Sequence, residues 1–259
     1  MVIKKDVLFT PADKTRRLHI YLPESYNETD ERYPVMYFFD GHNLFFDEDA
    51  TYGKSWGLKD FLDGWSKDII IVGLECGHEG NERLVEYCPY TFHGSPKSFW
   101  GGTLKGTGHK TLQWIVSTLK PMIDLEYRTW PHREATGIAG SSMGGLMALC
   151  GAVCYNDCFS KAACVSSTVS PCMASLRRDI RSSSIQEDTR IYLSFGTEEA
   201  FLPNPSDPMK SLTAIHNLTV QKELIKRGVR TDLYCQIGGS HSEASWELQI
   251  PRFMDFLWR

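Results

Sequence analysis

The stretch Gly137-Ile138-Ala139-Gly140-Ser141-Ser142-Met143-Gly144-Gly145 decides the fold. Its middle, Gly140 to Gly144, reads G-x-S-x-G. That pattern alone is a weak signal, since a chain of 259 residues matches it by chance about one time in ten. Its setting is more specific. A short β-like segment precedes it, and residues 146–153 after it read as a buried apolar helix. A strand, a sharp turn and a helix in that order lift the central serine to the carboxyl end of a sheet, where open α/β folds bind ligands. The turn is tight and strained, so side chains at Gly140 and Gly144 would collide with the strand–helix crossing. The helix N-terminus after the serine faces negative charge developing on a substrate.

Outward from this point, strand-like and helix-like segments alternate. That argues for the α/β class, a central, mostly parallel sheet with helices on both faces. The runs 35–39 (Val-Met-Tyr-Phe-Phe) and 69–74 (Ile-Ile-Ile-Val-Gly-Leu) are almost wholly apolar, as strands buried on both faces are. Residues 5–9 and 18–22 read as early strands, and 161–166, 190–195 and 231–237 as later ones. Leu112, Ile115, Val116 and Leu119 at helical spacing predict a helix over 110–123. Helices are also predicted over 173–182, 212–226 and 245–257. Between 75 and 110 lies a long irregular stretch rich in Gly, His, Pro and aromatics. Loops of that length are usually functional or disordered, and Tyr87, Tyr90, Phe92, Phe99 and Trp100 predict a pocket wall or lid. No repeat, low-complexity tract or linker divides the chain, so residues 1–259 read as one domain.

Apolar residues make up 42% of the chain and charged residues 23%, which is ordinary globular composition. A net charge of −4 gives no general attraction to nucleic acid or an anionic membrane, and neither partner is expected. The first ten residues lack the apolar run of a signal peptide, and no stretch of about 18 apolar residues predicts a membrane span. The expected location is cytoplasmic. The eight cysteines form no C-x-x-C pair, and they read as small buried hydrophobes in a reducing compartment. Cys150, Cys154 and Cys158 are spaced by four, which stacks the first pair on one helix face.

A serine needs a base to act as a nucleophile at neutral pH, and in a fold of this kind the histidine follows the acid in the chain. Among eight histidines, His241 follows a late strand through a Gly-Gly-Ser turn, which returns the chain to the carboxyl edge of the sheet. His216 sits mid-helix and reads as structural. The acid belongs at the end of the strand before, where Gly196-Thr197-Glu198-Glu199 offers two carboxylates. Glu199 is preferred, Glu198 is the alternative acid, and Asp207 lies farther off. A tetrahedral intermediate also needs backbone N–H donors. Met143 N–H follows the nucleophile, and the loop Asp40-Gly41-His42-Asn43-Leu44-Phe45 after the third strand offers His42 N–H.

These motifs together resemble the "putative esterase" branch of the α/β-hydrolases, which includes feruloyl and acetylxylan esterases, S-formylglutathione hydrolases, enterochelin esterases and mycolyltransferases. The matching pieces are Tyr37 to Phe45, Arg83-Leu84-Val85-Glu86-Tyr87, Leu119-Lys120-Pro121 ahead of Tyr127-Arg128-Thr129, Gly137 to Gly145, Gly196 to Leu202 and Gly239-Ser240-His241-Ser242. They span most of the chain. The resemblance implies Ser142 as nucleophile, His241 as base and Glu199 as acid, since the family's G-x-x-acid-x-Phe-Leu pattern falls on Gly196 to Leu202. It implies the amides of His42 and Met143 as the oxyanion hole, and no metal or organic cofactor. The expected activity is serine carboxylic-ester hydrolysis on small acyl, aryl or acylated-sugar esters. Siderophore ester cleavage, acyl transfer and a catalytically silent binding protein are the alternatives. The sequence carries no sign of oligomeric state.

Overall fold

In the computed structural model, which describes residues 1–93, 102–199 and 207–259, Val35–Phe39 lies at the heart of a sheet because neither of its faces is polar. Val35, Tyr37 and Phe39 enter one core, and Met36 and Phe38 the other. This strand follows β1 (Val2–Phe9) and β2 (Lys14–Tyr21) and is β3. Next come helix α1 (Leu58–Gly64) and β4 (Ile70–Leu74), which is as apolar as β3 and equally buried. The chain continues through α2 (Glu82–Glu86), the short antiparallel pair β5 (Thr91–His93) and β6 (Thr103–Lys105), and α3 (Gly108–Trp114). A π-type segment, Ile115–Leu119, joins α3 to α4 (Lys120–Glu126).

The second half alternates as predicted: β7 (Thr136–Ser141), α5 (Met143–Cys154), β8 (Lys161–Val165), α6 (Met173–Ser182), β9 (Arg190–Gly196), α7 (Leu212–Ile225) and β10 (Arg230–Gln236). Two helices, α8 (Glu243–Glu247) and α9 (Ile250–Trp258), follow. Among the described residues, eight strands form one sheet in the order β1-β2-β4-β3-β7-β8-β9-β10. The β1–β2 and β2–β4 pairs are antiparallel, and every other pair is parallel. Side chains of α3, α5, α6 and α7 fill the core on one face, and those of α1, α8 and α9 the core on the other. The α/β expectation therefore holds.

Three features differ from the sequence reading. Residues 75–110 are not wholly irregular, since they hold α2, β5 and β6. Tyr87 and Tyr90 are buried in the core, not displayed on a lid, while Phe99 and Trp100 lie outside the described residues. The single helix expected over 245–257 is two, with Pro251 in the first turn of α9. Proline lacks the N–H that a continuous helix requires there. Helix α1 was not predicted: it is seven residues long and starts from Gly57 at φ 60°.

The sheet order changes direction at β3. The chain lays β4 on one side of it and β7 on the other, so the carboxyl ends of β3 and β7 form a topological switch point, where this class of fold binds ligands. Gly144, on the first turn of α5, crosses β3 so closely that a Cβ would stand 2.9 Å from the Phe39 Cβ. Gly140 meets Gly144 at 2.7 Å in the same sense. Gly144→Ala therefore forces α5 away from β3. We expect a loss of about 1–3 kcal/mol in stability, read by chemical denaturation.

Candidate active site

Ser142 links β7 to α5 at φ 58°, ψ −120°, a region that costs a side-chain-bearing residue about 1–3 kcal/mol and persists only where its surroundings impose it. Here they do. Ser142 N–H donates to Val165 C=O at 3.0 Å, and Thr168 N–H donates to Ser142 C=O at 3.0 Å. The last residue of β8 and the loop after it thus bracket the serine from both sides. Its hydroxyl is partly exposed and lies 3.3 Å from the Thr168 hydroxyl. Met143, the first residue of α5, carries one of the N–H groups that a helix start leaves without an intrahelical acceptor.

Glu199 and His241 lie together at the ends of β9 and β10. The segments that carry them are stitched by Thr197 N–H to Gln236 C=O at 3.0 Å and Glu198 N–H to Gly239 C=O at 2.9 Å. Glu199 Oε2 is 3.5 Å from His241 Nδ1. Glu199 Oε1 accepts from Gly196 N–H at 2.9 Å and from the Ser166 hydroxyl at 2.5 Å. The Trp246 indole N–H donates to that same hydroxyl at 2.9 Å. The Trp246 ring meets the His241 ring edge-on, with centroids 5.1 Å apart. The Glu199 side chain is only 5% exposed, whereas Glu198 is exposed. Asp207 caps a short turn by accepting from Met209 N–H, and His216 contacts the Ser170 hydroxyl at 2.7 Å.

The turn after β3 is built around Asp40, which sits at φ 60°. Arg83 grips its carboxylate with two hydrogen bonds of 2.7 Å, and Asp40 N–H donates to the Tyr87 hydroxyl at 3.1 Å. Burial works against the Asp40 carboxylate, but the Arg83 charge prevails and holds its pKa below the usual value. This pairing gives a physical reason for the Arg83 to Tyr87 motif: it clamps the turn. Within Gly41–Asn43, the turn's own hydrogen bonds use the N–H groups of Asn43 and Leu44 and leave that of His42 unspent. The His42 ring is buried, which pushes its pKa down and favours the neutral form. Asn43 Nδ2–H donates to Glu243 Oε1 at 3.2 Å and so ties this turn to the segment after His241. Burial raises the Glu243 pKa.

The three predicted loops thus emerge along the same carboxyl edge of the sheet, with Glu199 and His241 in contact and Ser142 linked to Glu199 through the segment from Val165 to Thr168. Sequence reasoning missed Ser166, Thr168, Trp246, Glu243 and the Asp40–Arg83 pair as parts of this site. Only the Arg83 motif carried a signal, and it gave no hint of its partner.

A mostly parallel sheet with a strained serine between strand and helix at its switch point defines an α/β-hydrolase. The chain belongs to the family described as "Putative esterase", whose model matches residues 12–257, and it is accordingly an esterase-type hydrolase. It is 26% identical over 185 residues to the uncharacterized protein YbbA of Bacillus subtilis, covering 71% of this chain and 69% of that protein. It is 33% identical over 163 residues to the esterase Rv1288 of Mycobacterium tuberculosis, covering 62% of this chain and 30% of the mycobacterial protein. Among solved structures, an IroE-like serine hydrolase from Shewanella oneidensis superposes with a TM-score of 0.74 at 22% identity, over 99% of this chain and 79% of that one. The enterobactin esterase FES from Shigella flexneri gives 0.72 at 17% identity, over all of this chain and 58% of that one. Both share the fold. No helix among the described residues is long and apolar enough to cross a membrane.

Arg83→Ala would leave the Asp40 carboxylate buried without its partner. Breaking such pairs costs roughly 3–5 kcal/mol when both groups are buried. The Arg83 side chain is 31% exposed, so solvent screening lowers the expected cost to about 2 kcal/mol. The wild-type Asp40 pKa lies below 3.8, so the native state binds fewer protons there than the unfolded state. Its stabilisation is present above 3.8 and is lost as the pH falls through the depressed native value. The deficit of Arg83→Ala should therefore be full at neutral pH and shrink in acid, as read by denaturant titrations across pH.

Proposed function

We propose that this protein is a serine carboxylic-ester hydrolase that works through an acyl-enzyme at Ser142. Its substrates are small acyl, aryl or acylated-sugar esters. The observation that carries the reading is the buried Glu199 carboxylate. One oxygen is satisfied by two donors, and the other lies 3.5 Å from His241 Nδ1. An acid fixed in this way orients a histidine and stabilises its charged form, as in a catalytic triad.

Ser142 attacks the ester carbonyl as His241 Nε2 takes the hydroxyl proton. The amides of His42 and Met143 receive the oxyanion, each such donor contributing about 100- to 1000-fold in rate. His241 then protonates the departing alcohol. Water, deprotonated by the same imidazole, attacks the acyl carbonyl and frees Ser142 and the acid. Thr168 holds the resting hydroxyl, and rotation about the Ser142 side chain hands it to His241. The Asp40–Arg83 clamp fixes the turn that carries the His42 amide, so that this N–H is held for the oxyanion.

Siderophore ester cleavage is the second reading, favoured by the enterobactin esterase of Shigella flexneri and the siderophore hydrolase EstA of Aspergillus nidulans among the neighbours in fold.

The test is pre-steady-state release of p-nitrophenol from p-nitrophenyl acetate. Wild type should give a burst of one equivalent per chain. Ser142→Ala should abolish it and lower kcat by about 10³- to 10⁶-fold, and Glu199→Gln should lower kcat by about 10²- to 10⁴-fold. Equal turnover by wild type and Ser142→Ala would remove the assignment. Steady-state comparison of acetyl, butyryl, feruloyl and acetyl-sugar esters with a triserine-lactone siderophore then sorts the substrate classes. The small esters should give kcat/KM at least about tenfold above the lactone, and the reverse order would favour the second reading.

A further inference from the structure

β3 and β4 run side by side in parallel, with Phe39 opposite Leu74, so the residues that follow each strand emerge together. Gly41 packs against Gly73 with no room for a side chain: a Cβ at Gly41 would stand 2.4 Å from the Gly73 carbonyl carbon. This contact presses the turn carrying His42 onto the segment Glu75-Cys76-Gly77-His78. One potential ligand atom from each of His42, Cys76 and His78 falls within 4.8 Å of the other two. The two imidazoles meet edge-on with centroids 4.8 Å apart.

The His42 ring supplies a second, independent observation. His42 is only 6% exposed. Its Nε2 lies 2.9 Å from the Thr51 hydroxyl, which is itself placed by Thr51 N–H donating to Asn43 Oδ1 at 2.9 Å. Its Nδ1 is buried and has no hydrogen-bond partner among the described residues. A buried polar atom left so costs about 1–3 kcal/mol, and native proteins seldom carry one without a reason. In the tautomer in which Nε2–H donates to Thr51, Nδ1 keeps a free lone pair. That is the arrangement of metal-bound histidines, whose second ring nitrogen is held by an outer partner. His78 has a comparable outer group, because its Nε2 lies 3.5 Å from Glu75 Oε2. Glu75 is held in turn by His19 Nε2 at 2.7 Å.

We propose that His42, Cys76 and His78 form a binding site for a zinc-class divalent cation at the carboxyl ends of β3 and β4. Two imidazoles and one thiolate are the donor set that selects zinc and its neighbours over calcium or magnesium. Around a tetrahedral zinc, with bonds of about 2.0–2.3 Å, donor atoms stand roughly 3.3–3.8 Å apart. Closure by up to about 1.5 Å from the 4.8 Å limit completes the site, and His78, whose side chain is 56% exposed, has room to supply part of it. Binding replaces the Cys76 S–H bond with a sulfur–metal bond and releases that proton to solvent. A surface cleft of about 360 Å³, lined by Cys76 and His78 together with Glu75, Glu79, Glu82, Lys14 and Arg16, gives the ion its access. The assignment does not depend on the ester chemistry, because it concerns the His42 ring and not its backbone amide.

The experiment titrates the EDTA-treated full chain with Co²⁺ alone, following near-ultraviolet and visible absorption, and then displaces the cobalt with Zn²⁺. One equivalent of Co²⁺ should produce a thiolate-to-cobalt charge-transfer band, and one equivalent of Zn²⁺ should erase it. Cys76→Ser should abolish the band. His78→Ala, at an exposed position that leaves the fold intact, should weaken Co²⁺ affinity by about tenfold or more. No band in the wild type overturns the proposal, as does a band that persists in Cys76→Ser, or unchanged affinity in His78→Ala. The last two outcomes would mark adventitious binding at one of the other thiols. If Cys76→Ser fails to fold, the His78→Ala affinity decides alone.

Discussion

A single backbone conformation organises the carboxyl edge of this sheet. Ser142 stands at φ 58°, and an isolated chain would not keep it there. The surroundings over-determine it. Glycine on either side of Ser141–Met143 lets β7 and α5 approach, β3 packs under Gly144, and the end of β8 and the loop after it hydrogen-bond the serine on its N–H and its C=O in turn. α5 is apolar on all sides and buried along nearly its whole length, so it cannot shift to relieve the strain without opening the core it fills. Placement of the serine is thus a property of the packed sheet, not of five residues.

The same loop after β8 carries Ser166, itself at φ 47°. Its hydroxyl connects Trp246 to Glu199. One short segment therefore touches the serine, the carboxylate and, through Trp246, the face of the imidazole. A buried carboxylate is costly unless its oxygens are satisfied, and here each oxygen has a defined neighbour. On the far side of the serine, the Asp40–Arg83 pair does similar work for the turn after β3. It converts a left-handed aspartate into a fixed corner.

The elements most legible in the sequence are those whose pattern is set by burial on both faces. The ends of β3 and β4 fell within a residue of their predicted places because a wholly apolar run admits few alternatives. α1 and α2 were not legible: at seven and five residues they are shorter than two helical turns and show no period. The break between α8 and α9 did carry a signal in Pro251, outweighed by the apolar spacing around it. Within the site, the serine, Glu199 and His241 stood out because each follows a strand at a point where the fold exposes its edge. Their supporting groups did not. Trp246 and Ser166 are 80 residues apart, and nothing local in either segment announces the other. The acid motif's Phe201 and Leu202 lie outside the described residues.

The hydrogen bond from Asn43 to Glu243 joins positions 200 residues apart in the chain. A ribosome makes the first of these long before the second, and domains complete their long-range pairings only once the distant partner is available. The contact between the turn after β3 and the segment after His241 therefore forms only late in synthesis. The carboxyl edge of the sheet takes its final shape only when the late segment folds back to the early turn.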